Sequence, residues 1–131
     1  MPITGTCFCG AIRYSASAKH SRVHYCHCGM CRRATGGPFA VLVWLPASSI
    51  EWATRLPASR RSSPIAQRGF CASCGTPIYL KYDGAEEMGV LIGTLEHPED
   101  FVPQYHYGTE GRLPWADCGS GLPGSPTMER F

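Results

Sequence analysis

A small, mostly β domain that holds zinc is predicted by three features of this 131-residue chain: frequent glycine and proline without long helical periodicity, short continuous apolar runs, and cysteines in close groups. Fifteen glycines and eleven prolines divide the chain into short segments, which suits strands joined by turns. The length allows one domain with a core of its own, so disulfides are not needed to hold it.

In chain order the expected strands are 11–15, 22–26, 39–45, 65–70, 77–82 and 88–93. The strongest are Phe39-Ala40-Val41-Leu42-Val43-Trp44-Leu45 and Gly89-Val90-Leu91-Ile92-Gly93, continuous apolar runs that fit strands buried on both faces and should form the core. The Arg-, Ser- and Pro-rich stretch 53–64 lacks periodicity and reads as a mobile surface loop carrying Arg60 and Arg61. A zinc-binding domain is expected over 1–117, and the Gly-, Ser- and Pro-rich composition beyond it predicts a loosely ordered tail over 118–131.

Charge and hydropathy exclude several classes. Twelve basic and ten acidic side chains give a formal charge of +2, and divalent ions on thiolates would bring it to about −1. The basic residues are scattered, which argues against a nucleic-acid partner. No run approaches the roughly 20 apolar residues of a membrane span, so a soluble protein without membrane association is expected. The start, Met1-Pro2-Ile3-Thr4-Gly5, lacks a basic segment followed by an apolar run, which predicts a reducing, cytoplasmic location.

Of the eight cysteines, at 7, 9, 26, 28, 31, 71, 74 and 118, the seven clustered ones therefore read as metal ligands rather than as a disulfide framework. Cys7 with Cys9, and Cys26 with Cys28, stand one residue apart, a spacing better suited to converging on one ion than to bridging. Gly10, Gly29 and Gly75 each follow a cysteine and are expected to take the positive φ that turns the chain around a metal. Soft thiolates with little carboxylate nearby favour zinc over magnesium or calcium, with an iron–sulfur cluster as the alternative. The most economical division puts Cys7, Cys9, Cys71 and Cys74 on one closed structural site and Cys26, Cys28 and Cys31 on a second site with an open position. Spacing also permits Cys71 and Cys74 to join Cys26 and Cys28, or Cys118 or a histidine to complete a second set of four. Cys118 by itself reads as a small buried hydrophobe or an incidental surface thiol. His27, between two ligands, is expected to point away from the metal, and His20, His24 and His97 are expected at the surface.

The residues that carry these motifs resemble one family over about 5–117. They are the opening GxCxCGAIRY (Gly5, Cys7, Cys9, Gly10, Arg13, Tyr14), then YCHCGMCRRATG (Tyr25 to Gly36), FCASCGTPIY (Phe70 to Tyr79), GTLEHPE (Gly93 to Glu99) and PQYHYGTEGRLPW (Pro103 to Trp115). The chain resembles the glutathione-dependent formaldehyde-activating enzymes, a family that also includes centromere protein V. The resemblance implies a small all-β zinc domain of two packed, tent-like antiparallel sheets with zinc knuckles. It implies two zinc ions per chain, a structural one on Cys7, Cys9, Cys71 and Cys74 and a catalytic one on Cys26, Cys28 and Cys31. It further implies a carbon–sulfur lyase or synthase with glutathione as small-molecule thiol co-substrate and formaldehyde as the carbonyl partner.

For that chemistry Arg32, directly after a ligand, is the first candidate to pair with a glutathione carboxylate, with Arg33 and Arg60 or Arg61 as further candidates. His106, in the closing block, is a candidate proton shuttle or substrate contact. The competing expectation is a non-catalytic zinc module that binds a protein or nucleic acid. A pocket beside the Cys26, Cys28 and Cys31 site would favour the enzyme. The sequence carries no signal for an oligomeric state.

Overall fold

The computed structural model describes residues 2–117 and 121–129. The strands in chain order are β1 (Ile3–Thr6), β2 (Arg13–Ala16), β3 (Arg22–Cys26), β4 (Ala40–Pro46), β5 (Ile50–Trp52), β6 (Ala58–Ser63), β7 (Ala66–Phe70), β8 (Pro77–Tyr82), β9 (Glu87–Leu91), β10 (Tyr105–Tyr107) and β11 (Gly124–Ser125). Among the described residues one short α-helix, α1 (Gly29–Thr35), lies between β3 and β4. The fold is mostly β, and each strand expected from the sequence has a counterpart to within two residues at either end. Among the described residues no helix is long and apolar enough to cross a membrane.

Two sheets form. β1, β2 and β5 make a small antiparallel sheet, and the larger runs β11-β10-β3-β4-β9-β8-β7-β6. The larger sheet is antiparallel from β3 to β6 and parallel where β10 joins β3 and β11. Alternation along β4 divides its apolar run between two faces. Val43 and Leu45 look inward and meet Val90, Tyr79, Ile12, Tyr14, Ala16 and Ile50 between the sheets. Leu42 and Trp44 look outward with Leu80, Leu91 and Ala66. Burying side chains of this kind contributes about 1.5–3 kcal/mol each, which is why a run without polar residues suits a strand covered on both faces.

The expected loop at 53–64 is corrected in its second half, where β6 pairs with β7 along Ala58↔Phe70 to Ser63↔Ala66. Its arginines and serines suit an edge strand, because the ladder needs only backbone partners and exposed charge protects the free edge. Arg61 donates to both carboxylate oxygens of Asp83 at 2.8 and 2.6 Å. In the other direction, Gly124–Ser125 lies parallel to His106–Tyr107. Thr127 donates from its amide and hydroxyl to Glu110, and Met128 donates its amide to the Tyr107 hydroxyl at 2.7 Å.

Candidate metal centres

The first thiol group is built by two turns. Cys7 and Cys9 follow β1, Cys71 and Cys74 follow β7, and the four sulfurs lie within 4.8 Å of one another. Cys7 Sγ is 3.7 Å from Cys9 Sγ, which is 3.8 Å from Cys71 Sγ. A tetrahedron with zinc–sulfur bonds of about 2.3 Å has edges of about 3.8 Å, whereas a disulfide would need about 2.05 Å. The spacing therefore fits a shared metal ion. Gly10 and Gly75 take φ of 83° and 81°, and these left-handed residues turn each segment back on itself.

Amides complete the two turns. Ile12 donates to Cys7 Sγ at 3.2 Å and Cys74 donates to Cys71 Sγ at 3.4 Å. Hydrogen bonds from the Thr76 hydroxyl and backbone bring the Cys74 thiol down to about 5. Cys7 and Cys71 also belong to the core between the sheets, so this centre is continuous with the packing that joins them.

The second group lies on the other face of the large sheet. Cys26 ends β3, Cys28 caps α1 and Cys31 lies within it, and all three sulfurs fall within 4.8 Å of one another. Cys31 donates its amide to Cys28 Sγ at 3.4 Å, so a thiol takes the place usually held by a serine or aspartate at a helix start. Gly36, at φ 72°, ends the helix by donating its amide to the Arg32 carbonyl. Gly29, expected to turn with positive φ, instead begins this helix.

The three thiols are buried and pack with Leu42, Leu80 and Leu91. Cys26 and Cys28 sulfurs are 3.5 Å apart, again a metal-site spacing. Hydrogen bonds from the Cys26 and Cys31 thiols hold Cys28 at about 2, and the same Cys28 contact pushes Cys26 up. Arg68, 9% exposed on β7, places Nη2 3.6 Å from Cys31 Sγ. Sequence reasoning missed this residue. Its one signal is a charge two positions from Ala66 and therefore on the same face of a strand otherwise read as core.

The remaining candidates separate by face. Arg22, His24 and Cys26 alternate onto the outer face of β3, so His24 is buried rather than at the surface. It accepts from Trp44 Nε1 at 2.8 Å through Nε2 and donates from Nδ1 to the Tyr25 carbonyl at 3.0 Å, and burial holds its pKa down. His27 faces the other way, as expected, with Nε2 2.9 Å from His106 Nδ1. His106 is buried on β10, stacks on Tyr25 at 4.8 Å, and projects from the face opposite Cys26. His20 and His97 are exposed.

Arg32 borders a surface groove with Arg33, Pro38 and Trp115, and its Nε is buried without a hydrogen-bond partner. Arg33 and Arg60 line a different cavity of about 230 Å³ together with Arg68. A smaller cavity of about 70 Å³ adjoins Cys26 between Trp44, Tyr82, Tyr105 and Tyr107. Glu129, from the closing segment, reaches this cavity and accepts from the Tyr107 hydroxyl. Cys118 lies outside the described residues.

Three comparisons with known proteins bear on this geometry. Residues 2–110 match the family model described as glutathione-dependent formaldehyde-activating enzyme. A Schizosaccharomyces pombe protein named an uncharacterized lyase is 32% identical over 78 residues, which are 60% of this chain and 56% of that protein. The match thus spans little more than half of that relative. A crystal structure of a Rhodobacter sphaeroides protein aligns over 93% of this chain and 99% of its own, with a TM-score of 0.59 at 23% identity, a likeness of fold.

Proposed function

This chain belongs to the glutathione-dependent formaldehyde-activating enzyme family, and from that premise we propose that it is a zinc-dependent carbon–sulfur lyase or synthase acting on a glutathione adduct. The foremost candidate reaction joins glutathione and formaldehyde into S-hydroxymethylglutathione. The observation that carries this reading is the inequality of the two centres. Among the described residues, one gathers four thiols in the core between the sheets, whereas the other gathers three on the outer face beside cavities. Four protein ligands close a tetrahedral site and three leave a position for substrate.

Cys7, Cys9, Cys71 and Cys74 accordingly hold a structural zinc, and Cys26, Cys28 and Cys31 hold the catalytic one. Zinc on the three thiolates would supply a coordination position that keeps a substrate thiol deprotonated at neutral pH. The protein's part is orientation. Arg68 offsets the negative charge of the cluster from within hydrogen-bonding range of Cys31. Buried Leu42, Leu80 and Leu91 keep water from the sulfurs. His106, through His27, holds the backbone between Cys26 and Cys28, and Arg32 remains the contact proposed for a carboxylate at the outer groove. In the forward direction the substrate sulfur bonds to the carbonyl carbon, the carbonyl π pair moves to oxygen, and oxygen takes a proton from solvent. The lyase direction reverses each step.

Cobalt(II) in place of zinc tests the thiol-binding part of this reading. Glutathione should raise the thiolate-to-cobalt absorption saturably, at one equivalent per chain, because only the three-thiol centre can accept another sulfur. An unchanged spectrum at millimolar glutathione would contradict the reading.

A further inference from the structure

We infer that the cavity lined by Arg33, Arg60 and Arg68 is an anion subsite that takes one carboxylate of the thiol substrate, distinct from the Arg32 groove, and that Arg68 joins it to the three-thiol centre. The inference rests on the glutathione reading only for the identity of the ligand.

Three cations converge there from separate elements. Arg33 comes from the last turn of α1, Arg60 from edge strand β6 and Arg68 from β7, around a cavity of about 230 Å³ with no acidic residue in its lining. None of the three pairs with a carboxylate among the described residues. Neighbouring Arg61 does, through Asp83.

Arg60 and Arg68 stand directly opposite each other in the β6–β7 ladder. Like charges at facing positions oppose strand pairing, and an anion between them reverses the sign of that contribution. Arg68 sharpens the argument because it is more than nine-tenths buried. The thiol cluster offsets its charge, and among the described residues its one hydrogen bond, to Cys31 Sγ at 3.6 Å, leaves four of the five guanidinium donors for a ligand.

Carboxylate chemistry suits these donors. The planar forks of Arg60 and Arg68 match carboxylate oxygens bidentately, and Arg33 closes the third side. Arg68 both lines the cavity and contacts Cys31 Sγ, so this one residue links an anion held there to the thiol centre. A substrate that carries both a thiol and carboxylates can therefore be gripped at two points, which fixes the sulfur's direction of approach.

S-Methylglutathione, whose blocked sulfur cannot become a thiolate ligand, isolates the subsite. Calorimetry with the full, zinc-loaded chain should show binding that weakens about tenfold or more in Arg60→Gln, the size expected for losing a charge-assisted contact, and that disappears when both carboxylates of the ligand are amidated. Arg60 is exposed on an edge strand, so its replacement leaves the core untouched. Arg68→Lys, which keeps the charge and loses the fork, should also weaken binding while retaining both metals. Unchanged affinity in Arg60→Gln would overturn the inference, even where glutathione still perturbs the cobalt spectrum and the lyase reading stands. Binding of inorganic phosphate or succinate lost in Arg60→Gln, with no binding of S-methylglutathione, would support the anion subsite and remove glutathione as its ligand. No binding of any of these probes to the wild type would overturn it.

Discussion

A Cys71→Ser, Cys74→Ser protein is expected to lose cooperative folding. The four thiols join the turn after β1 to the turn after β7, and the Cys9 and Cys71 sulfurs, 62 residues apart in sequence, lie at 3.8 Å. Cys7 and Cys71 are also members of the core between the sheets, with Ile12, Tyr14 and Ile78 around them. Binding a structural zinc contributes about 10 kcal/mol or more to the folding of small zinc peptides. A whole domain has only about 5–15 kcal/mol of net stability, so loss of this centre is comparable to the whole. Thermal melts followed by circular dichroism, with metal analysis of the same samples, measure the effect. A sharp melt near the wild-type temperature would show that this centre does not hold the sheets together.

The Cys28→Ser protein should behave oppositely, giving up one metal while keeping its fold. Cys26, Cys28 and Cys31 span six residues of one segment, so their ion closes no long loop. Serine is also a favoured helix cap and can accept the Cys31 amide that Cys28 now accepts. Metal content should fall from two ions per chain to one, with the far-ultraviolet spectrum preserved and the cobalt response to glutathione lost. Loss of both ions with collapse of tertiary structure would mean that the seven thiols are not divided as four and three.

Much of this architecture was legible in the chain because its signals are local. A two-face apolar run such as 39–45 suits a covered strand and little else, and cysteines one or two residues apart with glycine after them mark tight turns around a metal. Other elements depend on partners that the sequence does not display. β6 reads as a loop because its strand character comes from pairing with β7 rather than from its own arginines and serines. α1 escapes notice because it is seven residues long and is capped by a thiol counted as a ligand.

Register decides the rest. Only the pairing of β6 with β7 sets Arg60 against Arg68, and only alternation along β3 and β10 places His24 beside Trp44 and sends His106 to the face away from Cys26. Arg68, which contacts Cys31 Sγ, could have been suspected from its inward position two residues after Ala66. Glu129 had no comparable signal, since its place at the Cys26 cavity follows from how Gly124–Ser125 docks on β10.

The most direct test of the three-thiol centre as a catalyst is the exchange rate between free glutathione and its hydroxymethyl adduct. The two compounds interconvert unaided, so yield is uninformative and rate is the quantity to follow. Two-dimensional exchange NMR on a glutathione–formaldehyde mixture, with and without zinc-loaded protein, reads it in both directions. A thiol oriented and desolvated at the centre should exchange faster each way with the equilibrium unmoved, and Cys31→Ser should return the rate to that of the protein-free mixture. Unchanged exchange with fully zinc-loaded wild-type protein would contradict formaldehyde activation as the function of this chain.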